Sequence, residues 1–251
     1  MNWVKRLISV FSKTSHEQAE SISYDSIAEE FSNHSDKQFI TAHYERPYII
    51  SHLPDLKGLT FLDAGCGAGY FSVYAINQGG TVIAVDSNEK MIEITRRKTN
   101  NMALLHQVDL SNGNLKFLAD ETIDVIVCSL TLHYIENWKP VLTEFYRILK
   151  KGGKCIISVH HPFYDYMNFG QGRYFDKRIV TDLWSGFGKK KLKVNYYVRP
   201  LKDYLAPVLE SKFKIVAIDE PEPQIDFKNE DINSYDRLSG NPGFLFFRLE
   251  K

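Results

Sequence analysis

Residues 61–71 read "FLDAGCGAGYF". An apolar run enters this stretch and ends on an acidic residue, Asp63; three glycines follow at every second position, Gly65, Gly67 and Gly69, before an aromatic-rich helical pattern begins. A strand that runs into glycines and then a helix lets a ligand lie on bare backbone, with the helix N-terminus presenting free N–H groups. Three ligand classes compete for such a turn. A phosphate loop requires GxxxxGK[ST], and no lysine follows these glycines. A dinucleotide fingerprint requires GxGxxG, and its third position here is Tyr70, too bulky for close helix–strand packing. Asp63 would repel a pyrophosphate but attract a cationic ligand.

Outward from this turn, short apolar runs alternate with helical patterns. Residues 59–64, 81–86, 103–109, 123–130 and 153–160 read as strands, β-branched and apolar on both faces as buried parallel strands are. Between them the clearest helix is Trp138 to Lys150, with Trp138, Val141, Leu142, Phe145, Ile148 and Leu149 on one face and a Gly152-Gly153 stop. After His161 the rhythm breaks. Residues 161–197 are rich in Gly, Tyr, Phe and Lys without clean periodicity, which marks a functional lid or an irregular β insertion. A helix beginning "RPLKDYL" and two strands, "FKIVAIDEP" and "GFLFFRLEK", complete the chain. The expectation is an α/β, doubly wound, mostly parallel seven-stranded sheet in one domain. It would comprise an N-terminal helical cap (1–54), a cofactor-binding core (55–160), a lid or insertion (161–197) and a C-terminal helix with the last two strands (198–251).

Two further carboxylates stand at strand ends. Asp86 closes the second predicted strand, 21 residues after Gly65, where a carboxylate accepts hydrogen bonds from a ribose diol. Asp109 ends the third and could reach an adenine edge. Either could instead cap the helix that follows its strand.

Bulk properties narrow the class. The 251 residues carry 31 Lys+Arg and 31 Asp+Glu, so no electrostatic footprint of a dedicated nucleic-acid binder is present. The "KKKLK" cluster at 189–193 reads as a solvated loop or strand edge. Cys66, Cys128 and Cys155 are far apart with no CxxC, which fits a reducing, cytoplasmic setting. No apolar run approaches the roughly 20 residues that span a bilayer. Trp3, Val4, Leu7, Ile8 and Phe11 fall at helical spacing among basic residues, an amphipathic helix rather than a signal peptide. No membrane association is expected.

The ordered set "LDAGCGAGYFS", "VIAVDSNEKM", "VDL" and "IDVIVCSLTLHYIENWKPVLTEFYRILKKGGKCIISV" resembles the class I S-adenosylmethionine-dependent methyltransferases that act on small molecules, over residues 55–160. The resemblance implies a Rossmann-like methyltransferase fold with S-adenosyl-L-methionine as cofactor. It implies that Asp63, Ala64, Gly65, Cys66, Gly67 and Gly69 cradle the methionine and ribose, that Asp86 with Ser87 meets the ribose hydroxyls, and that Met91, Asp109 and Leu110 surround the adenine. Ser129 and Leu130 would line the methionine side, with His133 and Tyr134 behind. "YDSIAEEF" resembles a helix that covers the cofactor, with Tyr24 reaching into the site. "SVHHPF" and "YYVRPLKDYL" are similar to an uncharacterised bacterial subgroup that usually has a histidine before the arginine; here Val198 stands there.

The acceptor is narrowed by exclusion. "SLTLHY" replaces the [DN]PP[YFW] of amino-methylating nucleic-acid enzymes, no cysteine has the context for cytosine-C5 methylation, and no carboxylate cluster for a metal can be assembled. A small O-, N-, S- or C-nucleophile remains. His160 and His161 at the fifth strand's end are the candidate general bases, although paired histidines before a proline could simply hydrogen-bond a turn. His133, Tyr164, Tyr174 and Arg199 are candidates to bind the acceptor, Arg199 through a carboxylate or phosphate; Tyr166 and Trp184 could shape the same pocket. The other readings are a protein that binds the cofactor without catalysis, an oxidoreductase using a nicotinamide cofactor, disfavoured by Tyr70 and Asp63, and an RNA-modifying enzyme, which lacks charge support.

Overall fold

A computed structural model of the protein describes residues 21–22, 32, 40–170, 172–187 and 190–251. The amphipathic stretch from Trp3 to Phe11, and Tyr24 with most of its segment, lie outside the described residues. In chain order the strands are β1 (Ser21–Ile22), β2 (Thr60–Ala64), β3 (Thr81–Asp86), β4 (Leu104–Gln107), β5 (Ile123–Cys128), β6 (Leu149–His160), β7 (Arg178–Phe187), β8 (Lys190–Val198), β9 (Lys214–Asp219) and β10 (Phe244–Glu250). The helices are α1 (Arg46–His52), α2 (Tyr70–Asn77), α3 (Glu89–Lys98), α4 (Lys139–Ile148), α5 (Pro162–Phe169), α6 (Leu201–Leu209), α7 (Phe227–Glu230) and α8 (Ile232–Gly240).

Seven strands form one sheet in the order β4-β3-β2-β5-β6-β10-β9. Neighbours from β4 to β6 are parallel, and β10 is antiparallel to both β6 and β9. Successive residues of a strand point to opposite faces, and here each face finds its own core. Leu62, Ile126 and Cys128 join Trp138, Val141, Phe145 and Tyr204 on one side. Phe61, Val125 and Val127 join Tyr44, Ile49, Phe71, Ala75 and Phe246 on the other. Burial on both faces is why these runs lack a polar alternation. The chain leaves β2 toward β3 on one side and reaches β5 on the other, so the strand order reverses at β2. Ligands of open α/β sheets bind beyond the carboxyl ends of the strands at such a reversal.

The helix expected to run to Lys150 stops at Ile148. Leu149 is extended, and residues 149–160 form one long strand. The end of the chain takes up the backbone there: Gly152 N–H donates to Lys251 O, and Lys251 N–H to Gly153 O, at 2.8 and 3.1 Å. A Cβ on Gly153 would lie 2.7 Å from Leu149 Cγ and 2.8 Å from Lys150 O. These glycines therefore lie within β6 and pair with Lys251 rather than stop a helix.

The insertion is ordered β structure behind one helix. β7 and β8 form an antiparallel hairpin, and β1 adds a parallel pair on the other edge of β8. Leu192, Val194, Tyr196 and Val198 are buried at alternate positions of β8 and pack with Phe169, Val180 and Trp184. Residues 190–193 of the lysine-rich run therefore lie on this strand, with Lys193 exposed. Among the described residues no helix is long and apolar enough to cross a membrane.

Candidate functional site

β2 ends at Ala64 and delivers the glycine turn to the carboxyl edge of the sheet. The turn is pinned from three sides. Gly65 and Cys66 N–H both donate to Val85 O of β3 (2.8 and 2.9 Å), Gly69 N–H donates to Cys66 O, and Thr95 of α3 donates to Gly67 O at 2.9 Å. Gly65, Gly67 and Gly69 have φ of +81°, +50° and +83°. Packing distinguishes them. A Cβ on Gly65 would stand 2.2 Å from Thr131 Oγ1, and one on Gly69 2.8 Å from Thr95 Oγ1, whereas one on Gly67 would meet nothing within 4 Å. The protein's own packing demands the outer two glycines. The middle one faces open space, which is what a ligand lying on backbone requires.

Asp86 ends β3 beside that bare position. Its two carboxylate oxygens accept the N–H of Gly67 (2.8 Å) and of Asn88 (2.9 Å). Each oxygen keeps acceptor capacity beyond these bonds, so the carboxylate is held rigidly and can still accept a diol. Burial pushes Asp86 above the usual carboxylate range.

Asp63 sits deeper than expected. It is 2% exposed, and its carboxylate accepts the Ser72 hydroxyl at 2.6 Å, tying β2 to α2. Burial, with smaller contributions from Asp86 and Glu45, pushes it up to about 7. Glu45 escaped sequence reasoning. It closes the π-helical turn Thr41–Glu45 before α1, is 1% exposed, and its Oε1 accepts the hydroxyls of Ser129 (2.7 Å) and Ser158 (2.6 Å). Burial raises its pKa as well. Nothing in the helical spacing of "TAHYERPYII" distinguishes a glutamate aimed at two strand ends from a solvated one. Three carboxylates disfavoured in their ionised forms thus gather at one sheet edge, an environment that fits a cationic ligand.

On the adenine side, Met91 is buried against Ala68 and Ile94, and Leu110 belongs to the core. Asp109 is exposed, and its carboxylate accepts the Ser111 N–H at 2.8 Å, capping the short turn Leu110–Asn112. Ser87 is exposed, and its carbonyl accepts from the Gln107 amide. Beyond β5, Leu130 is held at φ +46°, its N–H donating to Ser158 O and Oγ at 3.0 Å each. Left-handed backbone at a non-glycine costs about 1–3 kcal/mol and concentrates at functional sites. The structure therefore groups Gly67, Asp86, Ser129 and Leu130 with Glu45 at the edge, while Asp109 caps a turn.

The acceptor candidates separate further. His133 is fully buried and stacks on His160, centroids 4.2 Å apart at 14°. Tyr134 is exposed, and its ring tilts against His133 at 4.3 Å. Tyr164 and Trp184 both lie with ring centroids 6.4 Å from that of His160. The His161 ring is fully engaged: Nδ1 accepts the Phe163 N–H at 3.0 Å and Nε2 donates to Glu220 at 2.5 Å. It caps α5 and has no nitrogen left to act as a base, the turn-holding alternative realised. Arg199 likewise departs from expectation. It is 4% exposed, and its guanidinium donates to the carbonyls of Ile135 (2.7 Å) and Glu136 (3.2 Å), fastening β8 to the loop after β5. Tyr174 accepts the Leu201 N–H at the start of α6 through its hydroxyl, and Tyr166 packs on its edge. Among the described residues no group of three His, Cys, Asp or Glu is placed to hold a metal.

A parallel sheet whose order reverses at a glycine turn, with one antiparallel strand near its far edge, is the Rossmann-like fold of a methyltransferase. Comparison with known proteins agrees. A model of the methyltransferase domain matches residues 62–157. A solved structure from Listeria monocytogenes, described as an S-adenosylmethionine-dependent methyltransferase, superposes with a TM-score of 0.69 at 27% identity, covering 82% of this chain and 96% of that one. The malonyl-[acyl-carrier protein] O-methyltransferase of Hamiltonella defensa is 30% identical over 55% of this chain and 54% of its own length. The demethylmenaquinone methyltransferase of Lactococcus lactis is 28% identical over 67% and 69%. Residues 62–157 thus form a methyltransferase domain similar to those of the class I S-adenosylmethionine-dependent methyltransferases, and S-adenosylmethionine is the cofactor. The glycine turn, with bare Gly67 beside the Asp86 carboxylate, fits that group.

Proposed function

We propose that the protein methylates a small molecule, bound between the carboxyl edge of β2, β5 and β6 and the hairpin that follows. The observation that carries this reading is the pairing of an open glycine position, Gly67, with Asp86 locked across it by two backbone N–H bonds. When bound there, the cofactor supplies a methyl group on a sulfonium, already activated toward a nucleophile. Asp86 would accept its ribose hydroxyls, Met91 and Leu110 would flank the adenine, and Ser129 and Leu130 would lie along the methionine. The buried carboxylates of Asp63 and Glu45 would favour its positive charge. Asp109, which caps the turn after β4 through one carboxylate oxygen, would reach the adenine edge with the other.

The remaining task of the chain is to exclude water and align the acceptor. His160, Tyr164, Tyr196 and Trp184 form an aromatic wall for this purpose, with residues 161–197 acting as its cover within a single domain. Two relatives are named for O-methylation of an acyl-carrier-bound malonyl group and for methylation of a demethylmenaquinone, so acceptors of different kinds are represented among similar proteins. The balanced charge of 31 against 31 supports a small acceptor over RNA.

The test is transfer from methyl-labelled S-adenosylmethionine to fractions of a small-molecule extract from bacterial cells, with an RNA fraction beside them. Label in small-molecule fractions, dependent on intact Asp86, is expected. Label confined to the RNA fraction would overturn the proposal.

A further inference from the structure

Outside the glycine turn, buried polar atoms without a partner concentrate around His160. Its Nδ1 is sealed and unpartnered, and so is Oδ1 of Asp165, one turn into α5. The two orphans face each other at 3.9 Å, with side chains 12% and 2% exposed. An unpaired buried acceptor costs about 1–3 kcal/mol, so two such atoms in register are unlikely company unless one complements the other on closing. The other Asp165 oxygen already accepts the Tyr204 hydroxyl at 3.3 Å, which aims the carboxylate. The His160 ring is fixed on its remaining sides by the parallel face of His133 and the edge of Tyr196 at 4.8 Å. Of its two nitrogens only Nδ1 is sealed without a partner, and the ring stands at the end of β6 on the ligand-bearing edge of the sheet.

We propose that Asp165 is a positioning residue that holds His160 with its proton on Nδ1, leaving Nε2 free to receive a proton from the methyl acceptor. This rests on the methyltransferase reading above and adds a role for the acceptor side. A base so placed suits an acceptor whose nucleophilic atom carries a proton that water removes poorly, such as a hydroxyl. That proton would pass to Nε2 as the acceptor oxygen forms its bond to the methyl carbon and the S–CH3 bond breaks, its electron pair staying on sulfur, which leaves as a neutral thioether. The imidazolium would face the Asp165 carboxylate before losing the proton to solvent.

The protonation states agree with this geometry. Burial lowers His160 to about 4 and raises Asp165 to about 7. Around Asp165 stand Tyr204, Tyr196, Asp182 and Arg199; His133, beside His160, is neutral through burial. Above about pH 7 the pair is therefore carboxylate and neutral imidazole, the form that can accept a proton. Below it Asp165 is protonated and no longer fixes the tautomer.

The experiment is nitrogen NMR of the full chain with ring-labelled histidine, the His160 signals assigned by their loss in His160→Gln. At pH 8 the wild type is expected to show His160 protonated on Nδ1 alone, and Asp165→Asn to move the proton to Nε2. Finding the wild-type ring already protonated on Nε2, or its tautomer unchanged in Asp165→Asn, would overturn the proposal. The wild-type arm decides even if the variant fails to fold. S-adenosylmethionine is titrated into the same wild-type sample: binding with the wrong tautomer removes only the role of Asp165, whereas absence of binding removes the cofactor site itself.

Discussion

The two halves of this site are built by different means. The cofactor half is backbone: a glycine turn, the ends of β2 and β3, and amides of Gly65, Cys66, Gly67 and Asn88 donating to neighbours close by in the sheet. The proposed acceptor half is side chain: His133, His160, Asp165, Tyr196 and Arg199 come from four segments, the last two from β8 and its end, and meet in a sealed cluster. Backbone geometry is specified by local sequence, because only certain residues tolerate the required torsions and approaches. A side-chain cluster is specified by the whole fold. The first half can serve many acceptors unchanged, while the second must vary with each.

The sharpest way to break this contrast is inside the glycine turn itself. Gly65→Ala forces a methyl into Thr131 at a positive φ and is expected to cost about 3 kcal/mol of stability. Gly67→Ala meets no atom and should cost about 1 kcal/mol while weakening S-adenosylmethionine binding at least tenfold. Denaturant unfolding and calorimetry on both variants would check this. Equal stability losses would mean that Gly67 is not kept bare for a ligand.

Arg199→Ala probes the other half. It strips the carbonyls of Ile135 and Glu136 of a charged donor, so unfolding should become easier by about 2–3 kcal/mol with cofactor affinity changed less than twofold. A large loss of cofactor affinity with intact stability would return Arg199 to the ligand.

Asp63→Asn acts on the cofactor half through its charge, and its pH dependence carries the information. The folded protein holds Asp63 at about 7, above the ordinary 3.8, so it retains this proton longer than the unfolded chain. The group's contribution to stability is complete below about pH 4 and is lost as the pH rises through about 7. The asparagine variant removes that loss. Its stability relative to wild type should therefore grow from pH 4 to pH 7, by about 3 kcal/mol, as read by urea unfolding at both ends.

Legibility in the sequence followed the same division. Apolar runs bounded by Gly and Asp marked β2, β3, β5 and β6, and the turn at Gly65 to Gly69 announced itself through spacing. The boundary at Ile148 was missed because the glycines after it obey a partner 100 residues away, the chain's last residue. The alternation of Leu192, Val194, Tyr196 and Val198 was present in β8, but β7 obscured its partner strand: Ile179 and Leu183 are apolar and exposed, so polarity does not follow burial there. Arg199 and Tyr174 looked like ligand contacts because residue type alone does not tell a guanidinium or phenol facing a cavity from one spent on backbone. Glu45 and Asp165 gave no local signal: Glu45 matters through Ser129 and Ser158, 84 and 113 residues away, and Asp165 through His160 on β6 and Tyr204 on α6.

The central claim is that Asp86 holds the ribose of S-adenosylmethionine across bare Gly67. Calorimetric titration of wild type and Asp86→Ala with S-adenosylmethionine, its demethylated product and NAD tests it most directly. Binding of the first two by wild type, weakened by about 1–3 kcal/mol in the variant, with no response to NAD, is the predicted result. Cofactor affinity unchanged by the substitution would contradict it.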